Sequence, residues 1–198
     1  MTSDDLIFRA SLAVVSVSLA LIRFYYGWLA IQVGANIVSR RAGKVRTVLV
    51  WALGVLAAAA STLWVMAPGW LAWVALPLPA ALRWSGIVVG VLTVLLFFWV
   101  HRALGQNWAM PGEIKERHTL ITNGPYRWVR HPMYTTLFVW ALAYFLMSAN
   151  ILIGLAWLGL GIVAAAMVSD EEGALLETFG EAYRAYMQQV GRFWPRLR

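Results

Sequence analysis

The sequence predicts an all-α integral membrane protein with about five transmembrane helices and a cytoplasmic C-terminal amphipathic helix. Three observations carry that reading. First, 61% of the 198 residues are hydrophobic and 13% are charged, with a mean hydropathy of +0.68. Soluble domains run near a quarter charged. Second, apolar runs approach the roughly 20 residues that a span needs, at five places in the chain. Third, Lys and Arg gather in alternate connections, the pattern that marks cytoplasmic loops.

The runs cover about 6–28, 46–66, 83–103, 133–149 and 151–169. The first follows Asp4 and Asp5, without a basic leader or a small-residue cleavage site, so it reads as a span and not as a signal peptide. Arg23 falls near its inner end, where a long side chain snorkels to the interface. The stretch FYYGWLAIQVGANIVSR then continues the helix along the inner surface. Arg40, Arg41, Lys44 and Arg46 precede the second span. The segment APGWLAWVALPLP (67–79) is apolar but broken by three prolines. It reads as an outer-face loop or a shallow re-entrant piece, with Trp70 and Trp73 in an interfacial belt.

Arg102, Lys115, Arg117, Arg127 and Arg130 lie between spans three and four. Spans four and five are short and parted only around Asn150, which predicts a tight helical hairpin. With the basic connections inside, five spans put the N-terminus outside and the C-terminus in the cytoplasm. A prokaryotic inner membrane suits a chain of this size without a targeting segment. The chain reads as one domain, 1–198, with spans in 1–99 and the polar motifs in 100–198. In the tail, Leu175, Leu176, Phe179, Tyr183, Tyr186, Met187 and Val190 recur at helical spacing. That helix lies on the bilayer or covers a site.

The chain has no cysteine, which excludes disulfides and thiolate metal sites. His101, His118 and His131 are too widely spaced for a metal-binding pair, so no metal is expected. The basic residues are scattered beside spans, which suits anionic lipid and argues against nucleic acid.

Polar chemistry concentrates in GPYRWVRHPMY (124–134). Gly124-Pro125 is a turn signal. Pro132 suits the first position of a helix and holds His131 extended. A helix mouth carrying His131 and Arg130 suits an anion. Tyr126, Trp128 and Tyr134 offer flat faces for a base. Two accounts fit: a basic aromatic anchor at the inner surface, or a site for a cofactor bearing a nucleobase and a carboxylate or phosphate. In SDEE (169–172), Ser169 with Glu172 fits a capping box, and Asp170 suits a first turn. That leaves Glu171 as the spare carboxylate, returned by the hairpin to the neighbourhood of His131.

The order HTLITNGPYRWVRHPMY (118–134), hairpin, EEGALLETFGEAYRAY (171–186) and a late Trp-Pro resembles the isoprenylcysteine carboxyl methyltransferase family. It is more loosely similar to the phospholipid N-methyltransferases. The likeness covers roughly 100–195. It implies a membrane-embedded fold that binds S-adenosyl-L-methionine without a Gly-rich loop after a strand. The implied cofactor contacts are His118, Thr119, Leu120, Ile121, Tyr126, His131, Pro132, Met133, Tyr134 and Glu171. The implied acceptor is a lipophilic small molecule or a lipidated substrate, approached from membrane lipid, and the tail helix then becomes a lid. No catalytic side chain is expected beyond those that position the reactants.

Two positions depart from the prenylcysteine enzymes. Met167 stands where they carry an arginine four residues before the matching glutamate. Phe97 stands, by spacing, where they carry another, and Arg102 is the nearest arginine. Arg102 and Trp108 are expected on the acceptor side. Two other readings compete. One is an NADPH-dependent reductase of the sterol-reductase type, which also carries an RHPxY-like element but is larger. The other is a small non-enzymatic transport or assembly protein, which needs polar residues inside the spans.

Overall fold

The computed structural model describes residues 3–32, 37–40, 43–105, 113–115 and 119–196. Six helices account for most of them: α1 (Ser3–Gln32), α2 (Lys44–Met66), α3 (Ala80–Leu104), α4 (Pro132–Ser148), α5 (Ile151–Ala165) and α6 (Val168–Gln189). Four stretches are long and apolar enough to cross a membrane: α1, α2, α3 and the α5–α6 run. α4 is apolar but only 17 residues long, about 25 Å at the α-helical rise. The protein is thus an integral membrane protein, and the five expected runs correspond to α1–α5.

One detail differs from the expected all-helical chain. A short antiparallel ribbon, β1 (Ile37–Arg40) with β2 (Glu113–Lys115), ties the α1–α2 connection to the α3–α4 connection. As expected, α1 continues past Arg23, as far as Gln32.

The helices are apolar on nearly all sides, as expected of segments packed between neighbours and lipid. Leu6, Val14, Val17 and Leu21 of α1 and Val88, Val91 and Leu95 of α3 face outward. Phe8, Leu12, Val15 and Leu19 face inward. α3 packs against α1 and α4, and α5 packs against α4 and α2. Small residues set the closest approach. A Cβ on Gly86 would stand 2.7 Å from the Met147 backbone nitrogen, so α3 and α4 meet nearly backbone to backbone.

The end of the bundle that holds the N-terminus is fastened by polar contacts. Arg83 donates to Asp5 at 2.9 Å and to the Met147 carbonyl at 3.2 Å. Arg9 donates to the Val65 carbonyl at 2.8 Å. The 67–79 segment forms a 3-10 stretch over Pro68–Val74, with Trp70 and Trp73 exposed. It docks on the α4–α5 turn, where Asn150 donates to the Leu71 carbonyl at 2.9 Å. That turn is the expected tight hairpin. Ala149 adopts a left-handed conformation, and the Asn150 side chain caps α5 by accepting from Ile153 N–H.

Candidate functional site

At the opposite end, the short α4 starts where the sequence places it. Pro132 is the first helical residue and His131 the N-cap. The preceding Gly124–Arg127 forms a 3-10 turn that buries Pro125 and Tyr126. The C-terminal tail folds back over this segment. Arg130 N–H donates to the Gly191 carbonyl at 2.8 Å, and His131 N–H to the Arg192 carbonyl at 3.0 Å. The Thr135 hydroxyl donates to the Phe193 carbonyl at 2.9 Å.

The charged residues here are arranged differently from the sequence expectation. α6 starts at Val168 with Met167 as N-cap, and no side chain caps it. Ser169 is exposed and Glu172 is buried. The capping box therefore does not form, because the helix already starts at Val168, ahead of Ser169, and turns Glu172 inward. Glu172 instead gathers two arginines and a histidine. Arg130 donates to it at 2.8 and 3.0 Å, the His131 Nε2 lies at 3.1 Å, and Arg192 closes the other oxygen. The remaining Arg130 nitrogen donates to the Met187 and Val190 carbonyls. Burial pushes the Glu172 carboxyl up, but the hydrogen bonds from His131, Arg192 and Arg130 outweigh it and hold the pKa at about 2. Arg130 and His131 are thus a clamp on the tail and not an open anion site.

Glu171 has a different fate. It accepts from the Tyr134 hydroxyl at 2.9 Å and lies 3.7 Å from the His131 Nδ1. It also faces a cavity of 560 Å³, within the range typical of small-molecule and cofactor sites. The cavity has two ends. The polar end is walled by Thr119, Leu120, Ile121, Tyr126, Tyr134 and Glu171. Tyr183 and Tyr186 of α6 close over it, and Tyr186 donates to the Tyr126 carbonyl at 2.5 Å. Burial, and then the Glu171 charge, push the Tyr126 phenol well above its ordinary pKa, so it stays neutral. The other end is an apolar arm between α1, α2, α4 and α5, with Leu19, Gly54, Ala58, Trp140, Trp157 and Leu160 in its wall. Several lining residues, including Ala20, Trp51, Ala58 and Thr62, are exposed, so the arm opens sideways.

Of the residues singled out from sequence, Thr119, Leu120, Ile121, Tyr126, His131, Met133, Tyr134 and Glu171 share this one cavity wall. Pro132 is buried behind it as the start of α4. His118 and Trp108 lie outside the described residues. Arg102 does not fit its expected role: it is exposed on the last turn of α3, outside the wall. Rotation along the helix turns Phe97 to the cavity and leaves Arg102 outside. Met167 is buried at the α5–α6 junction. Arg23, Tyr183, Tyr186 and Glu172 were not among the expected site residues. The ExYxxY spacing of residues 181–186 was the available signal for the two tyrosines.

Fold and site together define an integral membrane protein of helical spans around a two-ended cavity, polar at one end and opening sideways at the other. The model of the isoprenylcysteine carboxyl methyltransferase family matches residues 86–177, from α3 into α6. Protein-S-isoprenylcysteine O-methyltransferase of Dictyostelium discoideum is 28% identical over 127 residues, which is 61% of this chain and 53% of that protein. The Homo sapiens protein of the same name is 33% identical over 93 residues, 46% of this chain and 33% of that one. The solved structure of the eukaryotic intramembrane Ras methyltransferase ICMT superposes with a TM-score of 0.51 at 26% identity, over 76% of this chain and 51% of that chain. The chain therefore spans about half or less of the length of these relatives.

Proposed function

We propose that this protein is an S-adenosyl-L-methionine-dependent methyltransferase that modifies a lipophilic or lipidated acceptor at the membrane surface. The observation that carries this reading is the single cavity joining a polar end around Glu171 to an apolar arm that opens sideways. A charged, water-soluble donor and a lipid-borne acceptor need such a meeting place. The family match and the relatives' names support the same reading.

The residues present fit the donor. Glu171 offers a carboxylate to an ammonium or to ribose hydroxyls, and Tyr126 and Tyr134 offer aromatic faces and edges. The Tyr183 hydroxyl is buried in the wall without a protein partner among the described residues, so a ligand is its natural partner. When bound, S-adenosyl-L-methionine supplies a methyl group on a sulfonium sulfur, ready for in-line displacement. The protein's part is to orient and to exclude water. α6 covers the polar end with Tyr183 and Tyr186, and the Arg130–Glu172–His131 clamp holds α6 and the tail in place. α1, α2, α4 and α5 line the acceptor chain.

We place the polar end at the cytoplasmic face, with the N-terminus outside. In support, Arg46, Arg102, Arg127, Arg130 and Arg192 collect at that end, as the bias of cytoplasmic loops requires.

Titration calorimetry of the full chain in detergent tests the reading. S-adenosylhomocysteine should bind and NADPH should not. Binding of NADPH, or of neither, would overturn it.

A further inference from the structure

The late Trp-Pro belongs to GRFWP (191–195), and none of these five residues lines the cavity. They nevertheless run along the back of its polar wall. The Gly191 and Arg192 carbonyls accept from the Arg130 and His131 N–H groups, and the Phe193 carbonyl accepts from the Thr135 hydroxyl. The turn through this segment is tight. A Cβ on Gly191 would collide with the Trp194 carbonyl oxygen, so glycine is required there. The turn sends Phe193 inward, against Tyr134, Ala164 and Val168, and leaves Trp194 71% exposed. Three rings then meet behind the wall. The Phe193 ring lies 6.2 Å from His131 and 6.4 Å from Tyr134, edge-on to the latter, and the His131 and Tyr134 rings lie 5.8 Å apart. Both rings that Phe193 packs against present a polar atom to Glu171. Tyr134 donates to it at 2.9 Å, and the His131 Nδ1 stands 3.7 Å away.

We infer that Phe193 is a positioning residue for the methyl donor: from behind the wall it fixes the His131 and Tyr134 rings, and through them the Glu171 carboxylate that receives the donor. This rests on the proposed methyl transfer and adds a residue beyond the 86–177 stretch that the family model matches. The reason is geometric. The Glu171 side chain is 32% exposed, so packing alone does not hold it in one rotamer. Its direction is set by the two polar atoms that face it, and those atoms are carried on rings. Edge-to-face packing orients rings, and a binding group is only as well placed as the side chains that support it. Phe193 supplies that support to both rings at once. The Gly191 turn and the three tail carbonyls hold Phe193 in turn, which gives the GRFWP segment its work.

The test is a double-mutant cycle read by titration calorimetry of the full chain in detergent, with S-adenosylhomocysteine as the probe. Phe193→Ala should weaken binding about tenfold, as expected for residues coupled through direct contact. Phe193→Leu, which keeps apolar volume but not the ring, should recover part of that loss. Trp194→Ala, at the exposed neighbour, should bind like the wild type. In the Glu171→Gln background, adding Phe193→Ala should cost less than about twofold more, because the carboxylate that Phe193 positions is gone. Thermal unfolding shows that each variant is folded. Unchanged affinity in Phe193→Ala would overturn the inference. So would the same tenfold loss in both backgrounds, which is what a general loosening of the tail produces. Failure of S-adenosylhomocysteine to bind the wild type would instead overturn the proposed function.

Discussion

Replacing Glu172 with alanine removes a carboxylate shared by Arg130, Arg192 and His131, and the structure says how much each loss matters. Glu172 and Arg130 are nearly buried, with side chains 4% and 9% exposed. Breaking a buried pair by deleting one partner costs about 3–5 kcal/mol, because the other charge is stranded. Arg192 is 44% exposed, so its share is at most about 1 kcal/mol. The expected loss is therefore about 3–5 kcal/mol, roughly 6–20 °C in Tm for a chain of this size. It should be accompanied by release of the tail, since Arg130 also holds the Met187 and Val190 carbonyls. Glu172→Gln should cost less, because its amide oxygen still accepts from Arg130. The control is Glu171→Gln, whose amide oxygen still accepts from Tyr134. It should change stability by no more than about 1 kcal/mol while lowering S-adenosylhomocysteine affinity tenfold or more. Thermal unfolding, limited proteolysis of the tail and calorimetry on the three variants provide the readings. Equal stability losses from Glu171→Gln and Glu172→Ala would refute the division of labour between these adjacent carboxylates.

Three further outcomes follow from the same geometry. Gly180 kinks α6 with φ of 51° and ψ of −123°, and an added Cβ there would meet nothing. Gly180→Ala should therefore cost about 1–3 kcal/mol through backbone strain alone, and should weaken S-adenosylhomocysteine binding by displacing Tyr183 and Tyr186. Gly54 lines the arm, and a Cβ there also meets nothing. Gly54→Phe should leave the fold and S-adenosylhomocysteine binding intact while raising the apparent KM more for long-chain than for short-chain acceptors. The Glu172 carboxyl is depressed from 4.5 to about 2. Its contribution to stability is thus fully present above about 4.5 and is lost as pH falls through about 2. Thermal scans of the wild type should fall over this acid range, and those of Glu172→Gln should fall less.

The polar half of the chamber was readable from sequence because turn and helix-start signals are chemically distinct. Gly124, Pro125 and Pro132 fixed where α4 begins, and the short hairpin around Asn150 fixed where α5 returns. Tyr126, His131, Tyr134 and Glu171 could then be brought together without coordinates. The roles of the charges were harder. A capping box and a buried ion cluster use the same residue types, and a helix that starts at Val168, ahead of Ser169, decides between them. That start depends on how α5 and α6 join at Met167, a tertiary matter. Arg130 looked like a ligand for an anion because the tail that supplies its partners lies some 60 residues further along the chain.

The apolar arm was invisible for a more general reason. In a soluble protein, an apolar residue facing outward differs from its neighbours, and a cavity wall is betrayed by the pattern. In lipid, a side chain facing the bilayer and one facing an apolar cavity meet nearly the same chemical surroundings. Nothing in their hydrophobicity separates Val48 and Val55, exposed on α2, from Trp51, Gly54, Ala58 and Thr62 on its cavity face. What separates them is size and period: Gly54, Ala58 and Thr62 are small and recur every four residues, a stripe that narrows one face of the helix.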